Sequence, residues 1–174
     1  LVMAPADENE CRQMLTTGYN YEGPASVRYP RGKGPSAAVN KDFSELEIGK
    51  AEIRHQGGRI VILAWGSMVT PALEAGKKLG ATVINMRFIK PIDADMILAM
   101  AKTHDVFVTV EENVLAGGAG SAVNEFLQAN KILMPVLNIA LPDEYVEQGT
   151  REELLSLCAL DSQGILENIE QFCA

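Results

Sequence analysis

The stretch "RIVILAW", residues 59–65, decides the fold of this chain. It is rich in β-formers, has no polar break after Arg59 and is preceded by Gly57-Gly58, so it reads as a buried strand. From Ile60 to Trp65 it is far shorter than the roughly 20 apolar residues of a membrane helix. Upstream, Gly49 to His55 alternate in polarity, and Gly57-Gly58 supplies turn chemistry. That pattern predicts a β-hairpin whose first arm is an antiparallel edge strand.

Downstream, strand and helix patterns take turns. Ser67 is a candidate cap for a helix with Val69, Ala72, Leu73 and Gly76 on one face, and "ATVINMR" is the next strand. "PIDADMILAMAK" predicts a helix with Ala94, Ile97, Leu98 and Ala101 inward, and "DVFVTVEE" another buried strand. The glycines of "AGGAGS" lead into a helix bearing Val123, Phe126 and Leu127. "MPVLNIAL" is the last strand, and C-terminal helices carry Leu154, Leu155, Ile165, Ile169 and Phe172. Strands separated by amphipathic helices imply parallel pairing. The expected fold is α/β: a mostly parallel five-stranded sheet with one antiparallel edge strand and flanking helices.

Toward the N-terminus a strand at Leu1–Met3 precedes a helix, with Asp7 as cap, Glu10 completing a capping box and Gly18 as stop. A strand over about residues 25–29 follows, and residues 33–46 read as an irregular linker between two units.

The 174 residues carry a formal net charge of −8 with 47% hydrophobic residues. An acidic chain argues against broad nucleic-acid or anionic-membrane binding, so any anion site must be local. No charged start followed by an apolar segment and a cleavage pattern is seen, so no secretory signal is expected. Cys11, Cys158 and Cys173 are too scattered for a disulfide framework or a zinc site, and reduced cytoplasmic thiols are the default. His55 and His104, far apart and without nearby ligand patterns, read as structural or exposed.

Three places could carry chemistry. Gly117, Gly118 and Gly120 lie between a strand and a helix, where amides can receive a phosphate. The dinucleotide fingerprint is incomplete, so close packing or a subunit contact is the better reading. Glu111 and Glu112 end a strand at the carboxyl edge of the sheet, where acid–base work is conceivable, but a salt bridge or interface contact fits better without a partner motif. Trp65, at a strand end, reads as core or interface. Finally, "ASVRYPRGKGPS" gathers Arg28, Arg31 and Lys33 in a span free of carboxylates from Glu22 to Asp42. Arginine forks match phosphate geometry, while surface ion pairs are the competing explanation.

Taken together, "APADENECRQML", "GPASVRYPRG", "INMRFIKPID", "VTVEEN", "GGAGSAVNEFL" and "LNIALPDEYVEQGT" resemble the C-terminal third of the 1-deoxy-D-xylulose-5-phosphate synthases. These are thiamine-diphosphate enzymes of the transketolase superfamily. The departures fall in "KGPSAAVNKDFSEL".

The resemblance implies that residues 1–40 end a pyrimidine-binding domain and begin a linker, and that 41–174 form a transketolase-like C-terminal domain. It implies condensation of pyruvate with D-glyceraldehyde 3-phosphate, with loss of carbon dioxide, in a cytoplasmic homodimer feeding isoprenoid, thiamine and pyridoxal synthesis. Arg31 is the position it assigns to the aldehyde phosphate, with Arg28 as possible support for the turn and Lys33 outside the motif. The catalytic groups and the sites for thiamine diphosphate and magnesium are expected upstream of Leu1, so the fragment alone is expected to be inactive. Two alternatives stand beside this: the C-terminal domain of a transketolase or a 2-oxoacid dehydrogenase β subunit, and a noncatalytic dimerisation module.

Overall fold

A computed structural model describes all 174 residues. The main sheet has five strands: β3 (Glu52–His55), β4 (Ile60–Ala64), β5 (Thr82–Asn85), β7 (Val106–Val114) and β8 (Val136–Leu141), in the order β3-β5-β4-β7-β8. β4 pairs in parallel with β5 and β7, β7 pairs in parallel with β8, and β3 runs antiparallel to β5. A second, three-stranded sheet combines β1 (Val2–Met3), β2 (Ser26–Val27) and β6 (Phe88–Lys90) in the order β2-β1-β6.

β4 is apolar throughout because both its faces are covered. Ile62 and Ala64 meet Val69, Ala72 and Ala75 of α2 (Val69–Leu79) together with Ile165 and Ile169 of α6 (Ser162–Cys173). Val61 and Leu63 face the other way. They meet Ile97 of α3 (Ala94–Ala101) and Val123 and Leu127 of α4 (Ala119–Ala129). Trp65, 4% exposed, joins this second cluster, and its indole donates to the Phe88 carbonyl at 3.1 Å.

Several local expectations are corrected. Gly57-Gly58 does not turn a hairpin onto β4, because β3 pairs with β5 instead. The pair passes over the turn before β5, where the Gly57 amide donates to Thr82 Oγ1 at 3.0 Å and the Gly58 amide to the Gly80 carbonyl at 2.6 Å. A Cβ on Gly57 would overlap the Gly80 and Ala81 backbone, so the glycine serves a close crossing. Gly18 does not stop α1 (Glu8–Asn20) but lies within it, where a Cβ would stand 3.3 Å from Ala25 Cβ and Met3 Cε. Ser67 does not cap α2. It belongs to a 3-10 turn, Gly66–Met68, and its hydroxyl is engaged elsewhere. The segment expected as one strand over "ATVINMR" ends at Asn85, and the chain starts β6 after Arg87 takes a φ of 60°.

Asp7 caps α1 as expected, accepting from the Glu10 amide at 2.8 Å. Glu10, however, turns to the Ala6 amide at 2.7 Å rather than to the cap residue. Residues 33–46 form no regular element, yet they are strapped to α1. Glu8 accepts from the Ser36 and Ala37 amides at 2.9 and 3.0 Å, Thr17 accepts from the Leu46 amide at 2.8 Å, and Arg12 lies over the Phe43 ring at 4.3 Å. No helix is long and apolar enough to cross a membrane.

Candidate functional site

The basic turn leaves β2 directly. The Arg28 amide donates to the Met3 carbonyl at 2.8 Å, which ties the turn to β1. Pro30 then restricts the backbone between the two arginines, and Gly32 stands at φ 155° with open space beside its Cα. Arg28, Arg31 and Lys33 are all exposed and none forms an ion pair with a carboxylate of this chain.

A cleft of about 560 Å³ lies beneath the turn. Arg28, Tyr29, Pro30 and Arg31 line it together with Glu112, Arg151 and Leu154, among others. A neighbouring cleft of about 590 Å³ takes Lys33 and runs between α1, α2 and the C-terminal helices. Arg151 borders both.

Arg151 opens α5 (Arg151–Leu157), whose cap Thr150 forms a capping box with Glu153. Its Nη2 donates to Glu112 Oε2 at 2.6 Å and to Ser67 Oγ at 2.9 Å, and the Ser67 hydroxyl donates to the same Glu112 oxygen at 2.5 Å. Glu112 thus makes a salt bridge, although β7 runs on to Val114 and does not end at the Glu111–Glu112 pair as expected. The sequence reading passed over Arg151. A signal was available: a cation in the first turn of a helix opposes the helix dipole, which implies that another group holds it there.

Glu111 behaves differently and makes no salt bridge. Only 4% exposed, it turns under the first turn of α4 and accepts from the Ala119 and Gly120 amides at 2.8 and 2.7 Å. The glycines make room for this. A Cβ on Gly118 would come 2.5 Å from Glu111 Oε1, and one on Gly120 would come 2.5 Å from Thr109 Oγ1 and 2.8 Å from Asn138 Nδ2. The amides that could have received a phosphate are therefore held by the chain's own carboxylate. "GGAGS" is a packing motif around Glu111.

A second buried carboxylate, Glu10, accepts from Asn85 Nδ2 at 2.9 and 3.0 Å and from Arg87 Nε at 2.7 Å, while Arg87 Nη2 donates to Glu52 at 2.6 Å. This network ties α1 to the edge of the main sheet. It explains why the left-handed Arg87 backbone is kept: its side chain then reaches two carboxylates. His55 and His104 are engaged structurally, His55 Nδ1 with the Ala81 carbonyl and His104 Nε2 with Thr82 Oγ1, both at 2.9 Å. The three cysteines are free thiols, and burial raises the pKa of Cys11.

The chain is similar to known proteins along its whole length. Over all 174 residues the chain is 56% identical to 1-deoxy-D-xylulose-5-phosphate synthase from Photobacterium profundum and 55% identical to the enzyme of that name from Nitrosococcus oceani. It spans 28% and 27% of the lengths of those relatives. Among solved structures, one described as a split-gene transketolase in an inactive β4 tetramer superposes with a TM-score of 0.86 at 29% identity. That match covers 98% of this chain and 56% of the other. The transketolase of Campylobacter jejuni superposes at 0.67 with 15% identity, over 98% of this chain and 26% of its own, a likeness of fold alone. The sequence profile described as "Transketolase, C-terminal domain" matches residues 49–165, and the chain belongs to that family.

Proposed function

We propose that this chain is the C-terminal part of a 1-deoxy-D-xylulose-5-phosphate synthase. That transferase condenses pyruvate with D-glyceraldehyde 3-phosphate to 1-deoxy-D-xylulose 5-phosphate and carbon dioxide. The observation that carries the proposal is the 56% identity to such a synthase along the entire chain. A transketolase reading has weaker support, since the split-gene transketolase shares 29% identity with this chain and the Campylobacter jejuni transketolase 15%. Residues 1–40 then complete a pyrimidine-binding domain and 41–174 form the C-terminal domain, in a cytoplasmic homodimer.

Within this reading Arg31 binds the phosphate of the aldehyde. Its guanidinium is exposed at the mouth of a cleft, without a carboxylate partner, and presents a planar fork of donors suited to phosphate oxygens. Arg28, on the same turn, adds positive potential and supports the backbone geometry. An unphosphorylated aldehyde would gain nothing from either.

The synthases use thiamine diphosphate with magnesium, and the residues of this chain do not fit either group. The α4 amides that could cradle a diphosphate are held by Glu111, and no three His, Cys, Asp or Glu side chains gather as metal ligands. In this proposal the cofactor and its metal are held by the part of the enzyme that precedes this segment.

The test is to express the whole coding sequence that contains this segment and supply thiamine diphosphate, magnesium, pyruvate and D-glyceraldehyde 3-phosphate. Formation of 1-deoxy-D-xylulose 5-phosphate, identified by mass, is expected. Ketol transfer between sugar phosphates without use of pyruvate would overturn the reading in favour of a transketolase.

A further inference from the structure

Glu112 is the one carboxylate among the residues lining the arginine cleft. Left to itself, it would be the competitor within the cleft for the guanidinium groups of Arg28 and Arg31. Its Oε2 is instead gripped by Arg151 at 2.6 Å and by the Ser67 hydroxyl at 2.5 Å. Arg151 holds this position although its Nε is buried without a partner and although it begins a helix, where a cation is disfavoured. Both features suggest a side chain placed for the sake of Glu112.

We infer that Arg151, with Ser67, is a positioning pair that sequesters Glu112 and so keeps Arg28 and Arg31 free for a phosphate. This rests on the reading that Arg31 binds the aldehyde phosphate. Arg151 does not touch that phosphate. It acts by withdrawing a competing anion, and in an acidic chain the cleft keeps a local excess of positive charge: three arginines against one glutamate. The C-terminal domain thereby sets the anion affinity of a turn that belongs to the N-terminal segment.

The test uses the full-length enzyme saturated with thiamine diphosphate. Arg151→Met keeps the apolar stem and releases Glu112. An exposed carboxylate–guanidinium pair contributes up to about 1 kcal/mol, so KM for glyceraldehyde 3-phosphate should rise about fivefold with KM for pyruvate unchanged. Adding Glu112→Gln should bring KM back to within about twofold of the parent, because the competing charge is gone. Arg151→Lys, which still neutralises Glu112, should stay near the parent value and guards against misfolding of the methionine variant. A double variant as impaired as Arg151→Met, or an Arg151→Met enzyme with both KM and phosphate affinity unchanged, overturns the inference. Inorganic phosphate, titrated against the same variants by calorimetry, reads the cleft without reference to substrate. Weakened phosphate binding in Arg151→Met that recovers in the double variant sustains the inference even where Arg31→Ala leaves KM for the aldehyde untouched. That last result would count against the substrate reading alone.

Discussion

Two regions of this molecule can attract an anion, and they have opposite fates. The first turn of α4 offers backbone amides behind a glycine-rich loop, and Glu111 from the adjoining strand fills it at 2.7 and 2.8 Å. The turn at residues 28–33 offers side-chain cations over a cleft, and no carboxylate of the chain answers them. A helix start with glycines resembles a phosphate site only while its amides are unspent. Here the carboxylate is intramolecular and buried, so it is present at effectively unlimited concentration and excludes an outside anion. In our inference the turn stays open because the one acid lining its cleft, Glu112, is engaged by Arg151.

The most damaging way to break this contrast is to empty the closed site. Glu111→Ala removes two charge-assisted bonds and leaves the Ala119 and Gly120 amides buried without partners. We expect a loss of about 4 kcal/mol, measured by urea denaturation. A loss below about 1 kcal/mol would mean that water satisfies those amides and that the site is not closed.

At the open site the expected cost is functional. Arg31→Ala in the full-length enzyme should lower kcat/KM for glyceraldehyde 3-phosphate by roughly 30- to 800-fold, corresponding to about 2–4 kcal/mol, mainly through KM. KM for pyruvate and the unfolding midpoint should scarcely move, since the side chain is exposed and makes no ion pair in the chain. Lysine at this position should restore only part of the loss, because it keeps the charge and not the fork. Equal damage with phosphorylated and unphosphorylated aldehydes would return Arg31 to a structural role.

Gly120→Ala sharpens the comparison from the packing side. Its Cβ would press against Thr109 and Asn138, so a loss of about 1–3 kcal/mol is expected in the same denaturation assay. Sedimentation should show the association state unaltered at concentrations where the fold survives. Dissociation of a folded oligomer would reveal an interface role beyond interior packing.

The smallest effect concerns the strap behind the basic turn. Glu8 has its pKa lowered by hydrogen bonds from its own backbone amide and from the Ala37 amide; burial opposes this, and a bond from the Ser36 amide adds the least. A carboxylate whose folded pKa is depressed contributes stability above its unfolded value, near 4.5, and loses it as pH falls through the folded value. The Ser36 and Ala37 amides should therefore lose hydrogen-exchange protection below about pH 4.5, ahead of the core strands. Protection that persists down to the global acid transition would show that other contacts, such as Arg12 over Phe43, hold the strap.

Much of this was legible in the residues. Short β-rich runs such as Ile60–Ala64 and Val106–Val110 fit strands covered on both faces, and helix periods between them imply parallel order. The Asp7 cap and the isolation of Arg28 and Arg31 from acidic neighbours along the chain were equally visible. Motif likeness then pointed to the family that the sequence profile identifies over residues 49–165.

What the residues could not settle was which distant groups would meet. Gly57-Gly58 has hairpin chemistry, yet strand order is a competition among all edges, and β5 offered the better partner to β3. "GGAGS" has phosphate-loop chemistry, yet Glu111 is eight residues away in sequence and only the strand-to-helix fold brings it beneath the Ala119 amide. Arg151 stands 39 residues from Glu112 and 84 from Ser67, so their convergence leaves no periodic trace. Local pattern determines what each segment is, because propensity and burial act over a few residues. Tertiary structure alone decides which charges are spent and which remain free, because electrostatic pairing depends on distance in space.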